Sequence, residues 1–375
     1  MPTVIHLRVD TKPLERRSSL SPKGAKALLD AGYIVRVERS SDRIYKDEEY
    51  SAVGAELVPA HSWENAPKED IILGLKELEG DSPLKHDYIH FQHCFKRQSD
   101  WEQALSRYSR GNGRLYDLEF LQHADGRRIA AFGYFAGYAG SGLALISWAH
   151  QILNPGKPQG RVPVFDSADE FIAAIKKDLE PAIAANDGKA PRPIVIGALG
   201  RCGKGAVDLF RACGIPEESI LKWDMEETKK GGPFTEIVES DIFINCVYLG
   251  PHKIPPFVTY DSLAIPSRRL RVICDVSCDP NSENNPIPLY STWSSFGNPT
   301  IEVSEPSKIS GPELRIIAID HLPTLVARES SDEYSGLLLP ALLDLDKRNN
   351  NEEGVWQRAE AIFKDRVSQL PENMK

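Results

Sequence analysis

The chain has 375 residues, of which 41% are hydrophobic and 26% are charged, and its formal net charge is −9. This composition is typical of globular proteins and excludes a wholly disordered or fibrous chain. At roughly 150 residues per domain, the length predicts two or three domains, of which two is the simpler expectation. The negative charge provides no basic surface for a phosphate backbone, so no nucleic-acid partner is expected.

The six cysteines lack C-x-x-C spacing, which argues against a zinc ribbon or a secreted disulfide scaffold. We therefore expect mostly reduced thiols in an intracellular protein, and no metal site. The N-terminal residues 1–17 contain no apolar h-region and do not resemble a secretory signal.

Residues 129–149 contain no charge and are about as long as a membrane span. The glycines of this segment lower its helix propensity, and its tyrosines, serines and alanines dilute its hydrophobicity. We therefore expect a buried helix between two domains, with glycines that allow close backbone packing, and no membrane partner.

In the first half, strand-like patterns alternate with segments long enough for helices. Residues 4–9 alternate as a strand does, and Ser21 and Pro22 supply an N-cap and an N1 proline for a helix that ends at Gly32. Further strands are predicted at 33–37, 70–75 and 88–92. This alternation is typical of a parallel sheet.

The same alternation restarts after a Pro/Gly-rich link, residues 154–163, and a helix-compatible stretch, residues 167–185. The apolar runs of this half are nearly continuous, which indicates strands buried on both faces. The predicted strands are 194–197, 220–223, 241–248, 271–276 and 300–303, and the predicted helices are 202–213, ended by Gly214, and 355–370. The fold class is therefore α/β with two parallel sheets.

A glycine-rich turn, residues 197–203, lies between a predicted strand and a predicted helix. Ala198, Gly200 and Gly203 occupy the three positions of the G-x-G-x-x-G fingerprint, with alanine at the first. Such a turn lets backbone N–H groups and the positive helix end face a dinucleotide pyrophosphate. A turn that only packs a helix against a strand is the alternative.

An acidic residue follows the next strand, as dinucleotide sites require. Asp224 lies 21 residues after Gly203, where a carboxylate can accept hydrogen bonds from both ribose hydroxyls. This carboxylate favours NAD over NADP, although Lys229 and Lys230 nearby leave the choice open.

Two candidate acid–base groups follow strands of the first half. Lys76 follows the strand at 70–75, and His93 follows the strand at 88–92. If these strands are neighbours, both side chains face the same crevice. A lysine acts as a base only if its pKa falls from about 10.4, which Glu77 opposes, whereas histidine titrates near 6.5. A solvated lysine and a structural histidine are the alternatives.

Several cations are placed beside the same strand ends. Guanidinium groups bind carboxylates through two hydrogen bonds, so convergence of these cations would suit a substrate with more than one carboxylate. Separate surface charges are the alternative. The cations are Arg16, Arg17, Lys96, Arg127 and Arg128.

Eight short runs spread over nearly the whole chain closely resemble the fungal saccharopine dehydrogenases, which are NAD-dependent and form L-lysine. They are also similar to the wider alanine dehydrogenase and transhydrogenase group. The runs are residues 11–17, 74–77, 91–94, 115–119, 197–203, 222–224, 231–234 and 319–323.

The resemblance implies two Rossmann-like domains with an interdomain cleft. Residues 1–133 with about 321–375 would bind the substrate, and residues of about 134–320 would bind NAD. The implied reaction converts saccharopine, NAD and water to lysine, 2-oxoglutarate, NADH and a proton. It is the last step of lysine biosynthesis by the α-aminoadipate pathway and is catalysed by an oxidoreductase acting on CH–NH donors.

The resemblance also implies residue roles. Lys76 would take the proton of the secondary amine, His93 would serve the hydration and collapse of the imine, and Glu77 and Glu119 would tune both pKa values. The substrate-binding residues would be Arg17, Lys76, Gln98, Arg128, Phe132, Ser277, Cys278 and Asp279. The cofactor-binding residues would be Arg127, Gly200, Arg201, Asp224, Thr228, Tyr248, Val276, Ile319, Asp320, His321 and Leu322.

Two cysteine predictions also follow from the resemblance. Cys202 and Cys246 would be able to form a disulfide near the adenosine, and Cys278 stands where the family often has a small residue. The last residues are not an S-K-L peroxisomal address, so we expect a cytoplasmic location, and we expect a monomer. An enzyme acting on a simple amino acid, as alanine dehydrogenase does, and a catalytically silent NAD-binding module are the alternative functions.

Overall fold

The computed structural model describes residues 2–97, 100–248, 253–278, 280–350 and 353–375. The chain forms two compact units, the first of residues 1–131 and 327–375 and the second of residues 132–326. Each unit contains one six-stranded sheet. No helix among the described residues has the length and apolarity needed to cross a membrane.

The first unit begins with the strand predicted at residues 4–9, which spans Val4–Leu7 and is buried from Ile5 onward. Its first helix is capped by Ser21, whose side chain accepts a hydrogen bond from the Gly24 N–H at 3.1 Å, with Pro22 at N1. The elements are β1 (Val4–Leu7), α1 (Pro22–Asp30), β2 (Ile34–Glu38), α2 (Asp47–Ala52), β3 (Glu56–Val58), β4 (Ile71–Leu73), β5 (Asp87–His90), α3 (Trp101–Gly111) and β6 (Arg114–Asp117).

All strands of this first sheet are parallel, in the order β3-β2-β1-β4-β5-β6. The direction of the strand order reverses between β1 and β4. In open parallel sheets, ligands bind beside the carboxyl ends of the strands at such a point. The sequence did not predict β3 or β6. Each has only three or four residues and is flanked or interrupted by charges, so the apolar periodicity is too short to read.

The second unit contains the strands and helices predicted for residues 129–303, with ends shifted by up to four residues, together with three four-residue helices and a strand at Arg315–Ile317 that the sequence did not predict. They are α4 (Gly133–Leu153), α5 (Ala168–Ala185), β7 (Pro193–Ile196), α6 (Arg201–Ala212), β8 (Leu221–Trp223), α7 (Met225–Thr228), α8 (Thr235–Val238), β9 (Ile242–Asn245), α9 (Tyr260–Leu263), β10 (Val272–Asp275), β11 (Ile301–Glu302) and β12 (Arg315–Ile317).

The second sheet has the order β11-β12-β10-β9-β7-β8. The sheet is parallel, as predicted, except at one edge, where β11 pairs antiparallel with β12. A two-residue edge strand has little side-chain pattern to reveal its direction, and mixed sheets often carry such an edge. The remaining pairs are parallel.

Two further helices, α10 (Ala327–Leu343) and α11 (Val355–Ser368), return the chain to the first unit. Within this unit, hydrogen bonds join α10 to the residues at the start of α1. Ser18 N–H donates to the Ser331 hydroxyl at 2.9 Å, and Ser21 N–H donates to the Ser335 hydroxyl at 2.9 Å.

Helix α4 is the uncharged segment of the sequence, and it begins four residues later than the segment does. Its contact with α6 is made by backbone. A Cβ at Gly137 would lie 1.9 Å from the carbonyl oxygen of Cys202, and a Cβ at Gly205 would lie 1.9 Å from the carbonyl oxygen of Tyr134. The prediction that glycines allow close backbone packing is therefore confirmed.

We expect Gly205→Ala to lower the stability of the second unit by about 2 kcal/mol or more, because the added methyl group forces α4 and α6 apart. Gly160→Ala is the matched control, since a Cβ there meets nothing within 4 Å. Urea unfolding followed by circular dichroism measures both variants. Equal midpoints for the two would contradict the packing argument.

Candidate functional site

The two acid–base candidates lie at one edge of the first sheet. Lys76 follows β4 and His93 follows β5, and these strands pair in parallel with Leu73 opposite Ile89. The expectation that the two strands are neighbours is therefore confirmed. Lys76 is buried, with 9% of its surface exposed, whereas the His93 side chain is 38% exposed.

The charges around Lys76 determine its protonation. Burial lowers the pKa of its amine, and the positive charges of Arg17 and Lys12 lower it further. Glu15 and Glu77 act in the opposite direction, as predicted for Glu77, but the net shift is downward. A lowered pKa increases the fraction of free amine at any given pH, and the free amine is the form that accepts a proton.

Arg17 is held by a carboxylate that the sequence did not single out. Its Nε and Nη2 donate to the two oxygens of Glu15 at 2.8 and 2.6 Å. Burial raises the pKa of Glu15, but Arg17 and then Lys76 outweigh this and lower it, so Glu15 is ionised. The pair fixes the direction of the guanidinium beside Lys76.

The Glu119 carboxylate lies close to three basic side chains. Arg128 Nη2 and Lys96 Nζ donate to its Oε1 at 2.8 and 2.7 Å, and His93 Nδ1 lies 3.5 Å from its Oε2. The other ring nitrogen of His93 lies 3.3 Å from Glu77 Oε1. The histidine ring thus has a carboxylate near each nitrogen, and the two carboxylates fix its orientation.

These contacts determine the charge of Glu119. Burial raises its pKa, but the hydrogen bond with His93 and the charges of Lys96 and Arg128 prevail and lower it to about 2. The Glu119 carboxylate is therefore ionised at neutral and mildly acidic pH. Three of the cations predicted to lie at these strand ends, Arg17, Lys96 and Arg128, are each paired with a buried glutamate.

Asp117 is a second carboxylate that sequence reasoning missed. It ends β6, is 1% exposed, and accepts hydrogen bonds from the N–H groups of Gln92 at 3.2 Å and Glu119 at 2.9 Å. Burial raises its pKa to about 6. It fixes the backbone of Gln92, which precedes His93, and of Glu119, whose side chain lies near the His93 ring. The only signal for Asp117 in the sequence was its place in the run 115–119.

The glycine-rich turn of the second unit has the geometry that the fingerprint requires. Gly197 has a φ of +86°, in the left-handed region that favours glycine, and Gly200 is the N-cap of α6. A Cβ at Gly203 would lie 2.2 Å from the carbonyl oxygen of Gly197. The turn therefore brings its backbone N–H groups together at the start of α6.

Asp224 lies against this turn. Its Oδ2 accepts a hydrogen bond from the Leu199 N–H at 3.0 Å, and its Oδ1 accepts one from the Met225 N–H at 2.9 Å. The Thr228 hydroxyl donates to the Asp224 carbonyl at 2.9 Å. The spacing argument that put a carboxylate beside the turn is supported by these contacts.

A cavity of about 840 Å³ is lined by the turn, Asp224 and Thr228. Three large apolar side chains on its wall are exposed, Leu199 by 73%, Met225 by 79% and Tyr248 by 83%. Apolar side chains that are clustered and exposed in this way mark ligand-binding surfaces.

The loop after β10 contains three more of the predicted residues, Val276, Ser277 and Cys278, and it is anchored by Asp275 at the end of the strand. Asp275 is buried at the end of the strand and accepts hydrogen bonds from the Tyr290 hydroxyl at 2.6 Å and the Asn245 amide at 2.9 Å. It also accepts a hydrogen bond from the Cys278 N–H at 3.3 Å. Ser277 donates to the Val247 carbonyl oxygen, and the Val276 N–H donates to the Asn245 carbonyl at 3.0 Å.

The predicted residues that follow β12 are of two kinds. Ile319 and Leu322 are each 1% exposed and pack in the core of the second unit, so only their backbone could reach a ligand. Asp320 is exposed, and the His321 ring lies edge-on to Phe296 with centroids 4.9 Å apart.

The remaining predicted residues are dispersed. Arg127 is exposed in the first unit and paired with Asp125 at 2.6 Å, whereas the other cofactor candidates belong to the second unit. Phe132 and Arg201 are in the second unit, at the starts of α4 and α6. Gln98 and Asp279 lie outside the described residues.

Cys202 and Cys246 are both free thiols, and they interact. Burial, and then the hydrogen bond with Cys202, raise the pKa of Cys246. Their disulfide stays a prediction. Over the part of the chain that the structure describes, His, Cys, Asp and Glu side chains form no group of three able to hold a metal ion.

Comparison with known proteins assigns the family. Residues 6–139 match the family model described as "Alanine dehydrogenase/PNT, N-terminal domain". Saccharopine dehydrogenase (NAD(+), L-lysine-forming) of Schizosaccharomyces pombe is 51% identical, covering 97% of this chain and 98% of its own. The enzyme of the same name from Emericella nidulans is 53% identical, with 98% of each chain covered. This chain belongs to the saccharopine dehydrogenase (NAD(+), L-lysine-forming) family.

The saccharopine dehydrogenase family assignment confirms the resemblance read from the sequence. Among solved structures, an L-alanine dehydrogenase matches with a TM-score of 0.65 and 16% identity, covering 96% of this chain and 94% of its own. At this identity the likeness shows the fold alone, two α/β units with mostly parallel sheets.

We expect the folded protein to lose stability in acid partly through Glu119. Because its folded pKa is depressed to about 2 from 4.5, its contribution is present above the unfolded value and disappears as the pH falls from about 4.5 to 2. It is on the order of 2 kcal/mol after a discount for the partly exposed cations.

Glu119→Gln should therefore lower the melting temperature at pH 7 by several degrees, and the gap to the unmodified protein should narrow at pH 3. Glu64→Gln, an exposed glutamate of the same unit, is the control. An E119Q deficit that is equal at both pH values would show that Glu119 does not stabilise the fold through its charge.

Proposed function

We propose that this chain catalyses the NAD-dependent oxidative deamination of L-saccharopine to L-lysine and 2-oxoglutarate. The observation that carries the proposal is the placement of a buried lysine of lowered pKa and a histidine flanked by two carboxylates at one sheet edge. The identity of about half the residues to enzymes of that name, over nearly the full length, supports the substrate.

The residues of the second unit fit a nicotinamide dinucleotide. A side chain at position 203 would clash with the carbonyl oxygen of Gly197 in the turn. The cavity beside the turn is lined by Asp224, which contributes a carboxylate, and by the exposed Tyr248. We assign the pyrophosphate to Gly200 and the start of α6, and the ribose to Asp224 with Thr228 close by. When bound, the cofactor supplies the acceptor for the hydride.

Two lysines that left the choice between NAD and NADP open are engaged with carboxylates. Lys229 Nζ lies 2.5 Å from Glu226, and Lys230 Nζ lies 2.9 Å from Glu236. They are therefore less able to bind a 2′-phosphate, which the Asp224 carboxylate would also repel. This supports NAD as the cofactor.

The cations of the first unit suit saccharopine, which carries three carboxylates. Arg17 and Arg128 are each oriented by one glutamate, Glu15 and Glu119 respectively. An oriented guanidinium loses little entropy when it binds a carboxylate, so the pair would fix two of the three.

Lys76 acts as the base in the oxidation. As the hydride leaves the carbon beside the secondary amine, the free amine of Lys76 accepts the N–H proton, and the C–N bond becomes an imine. Burial keeps a fraction of Lys76 unprotonated, and the nearby Glu77 stabilises the ammonium that forms.

His93 acts in the hydrolysis. It takes a proton from the water that adds to the imine carbon, while the Lys76 ammonium returns its proton to the imine nitrogen. His93 then gives its proton to the same nitrogen as the C–N bond breaks, and the proton of the new hydroxyl leaves to solvent as its oxygen becomes the carbonyl of 2-oxoglutarate, which releases lysine. Glu77 and Glu119 hold the ring from its two sides and compensate its charge when it is protonated.

The other residues assigned from the resemblance stay predictions. They are Gln98, Phe132, Ser277, Cys278 and Asp279 on the substrate side, and Arg127, Arg201, Val276, Ile319, Asp320, His321 and Leu322 on the cofactor side. The interdomain cleft, the division of ligands between the two units, the cytoplasmic location and the monomer are proposed in the same way.

We expect Lys76→Met to lower kcat for saccharopine oxidation by about 100-fold or more, because a positioned base contributes a factor of that size. Absorbance of NADH measures the rate, and Lys26→Met, an exposed lysine of α1, is the control. Near-normal turnover by K76M would refute the base assignment. Turnover with alanine but none with saccharopine would refute the substrate.

We expect Asp224→Ser to raise the KM for NAD by about 10-fold or more, since it removes the acceptor for two ribose hydroxyls. The ratio of kcat/KM for NADP to that for NAD should rise as well, because the repulsive carboxylate is gone. Glu218→Ser, an exposed acid before β8, should change neither quantity. An unchanged cofactor ratio in D224S would contradict the ribose assignment.

A further inference from the structure

A group of buried polar side chains surrounds the backbone of Lys76 without taking part in the chemistry described above. They come from the ends of β1 and β5, the strands on either side of β4, and from α3. The side chains are Arg8, Asp10, His90, Gln92 and Tyr108.

Arg8 and Asp10 bind the peptide groups of Lys76 itself. The Lys76 N–H donates to Asp10 Oδ1 at 2.8 Å, and the Leu75 N–H donates to Asp10 Oδ2 at 3.2 Å. Arg8 Nη2 donates to the Lys76 carbonyl oxygen, and Arg8 Nη1 lies 3.2 Å from Asp10 Oδ1. One ion pair therefore holds both the N–H and the C=O of this residue.

A chain of hydrogen bonds continues from Arg8 to the residue two positions beyond Lys76. Arg8 Nη2 lies 3.2 Å from His90 Nδ1, His90 Nε2 lies 2.7 Å from the Tyr108 oxygen, and the Tyr108 hydroxyl donates to Gln92 Oε1 at 2.9 Å. Gln92 Oε1 also accepts the Leu78 N–H at 3.2 Å. The lysine segment is thus fixed at both ends.

The directions of these bonds are determined by chemistry. His90 Nδ1 lies 3.2 Å from both Arg8 Nη2 and the Lys76 carbonyl oxygen. Because a guanidinium only donates, and because the Tyr108 hydroxyl donates to Gln92 and so accepts from His90, we assign the ring hydrogen to Nε2 and let Nδ1 accept from Arg8. The ring must be neutral for this, and burial, with the charge of Arg8, holds the pKa of His90 well below its usual range.

Gly74 provides the space for this arrangement. A Cβ there would lie 2.4 Å from Arg8 Nε and 2.7 Å from Arg8 Cζ. Arg8 is 2% exposed and His90 is 1% exposed. A buried cation is costly unless it is engaged, and the two terminal nitrogens of Arg8 are engaged by the Val9 and Lys76 carbonyl oxygens, Asp10 and His90, whereas its Nε has no hydrogen-bond partner among the described residues.

We propose that Arg8, Asp10 and His90 are positioning residues that hold the peptide of Lys76 so that its amine keeps one place at the edge of the sheet. This inference rests on the proposed function only in naming Lys76 as the base. The charged groups that face the amine are Arg17, Lys12, Glu15 and Glu77.

Two buried histidines, one just before β5 and one at its end, allow a matched test. His86 and His90 are both on or beside β5, both are 1% exposed, and each is within hydrogen-bond distance of a tyrosine, Tyr88 for His86 and Tyr108 for His90. We expect His86→Gln and His90→Gln to lower the melting temperature by similar amounts. Only H90Q should lower kcat, by about 10-fold, with the KM for saccharopine changed less than threefold.

The pH dependence of kcat distinguishes a positioning role from a merely structural one, because loss of stability alone would not shift it. A loosened Lys76 is better solvated, so its pKa rises towards the ordinary value. Since the base must be unprotonated, the acidic limb of the kcat profile moves to higher pH in H90Q and stays in place in H86Q. Tyr108→Phe removes one hydroxyl from the chain of bonds and should move the limb in the same direction by less.

Trace acetylation of Lys76 by acetic anhydride, followed by mass spectrometry over a pH series, measures the same titration without turnover. An upward shift of its midpoint in H90Q and Y108F, but not in H86Q, supports the inference even if saccharopine proves to be the wrong substrate. If both H90Q and Y108F match H86Q in labelling midpoint and acidic limb, the inference is overturned.

Discussion

The burial of one amine at the carboxyl edge of the first sheet is the constraint on which the site depends. Lys76 could lie exposed at the strand end with an ordinary pKa, but it follows β4, which lies between β1 and β5, and it is buried. Desolvation alone would make the ammonium expensive, and the two neighbouring cations add to that cost. The same burial that costs stability makes the lysine usable as a base.

Such a site needs carboxylates to balance its cations. Glu15 and Glu119 are buried and ionised because each accepts charged hydrogen bonds, and each in turn orients an arginine. The cations are therefore neither scattered nor simply neutralised. They are held in fixed directions by buried glutamates, the arrangement expected for recognition of a polycarboxylate.

The second unit uses backbone where the first uses side chains. Gly197, Gly200 and Gly203 let the start of α6 come close to a ligand, and Asp224 is anchored by N–H groups of the neighbouring turns. The close contact of α4 with α6 depends on glycine in the same way. The tight approach of backbone to backbone explains why a long uncharged segment of the sequence is rich in glycine and yet forms a buried helix.

The sequence by itself determined the features that depend on local pattern. Apolar periodicity predicted most strands, Ser21 and Pro22 predicted the start of α1, and the spacing from Gly203 to Asp224 predicted the carboxylate beside the turn. Motif resemblance assigned the family, because those runs specify chemistry more narrowly than periodicity does. Lys76 and His93 were found because they follow strands of a parallel sheet.

Only the tertiary structure decided what depends on long-range contacts. The strand order put Arg8 and Asp10 next to Lys76, although about 66 residues separate them along the chain. It also placed Asp117 against the backbone of Gln92, 25 residues away along the chain. A charged residue looks the same in a sequence whether it is solvated or buried, and only the neighbours that the fold supplies fix its pKa and its direction.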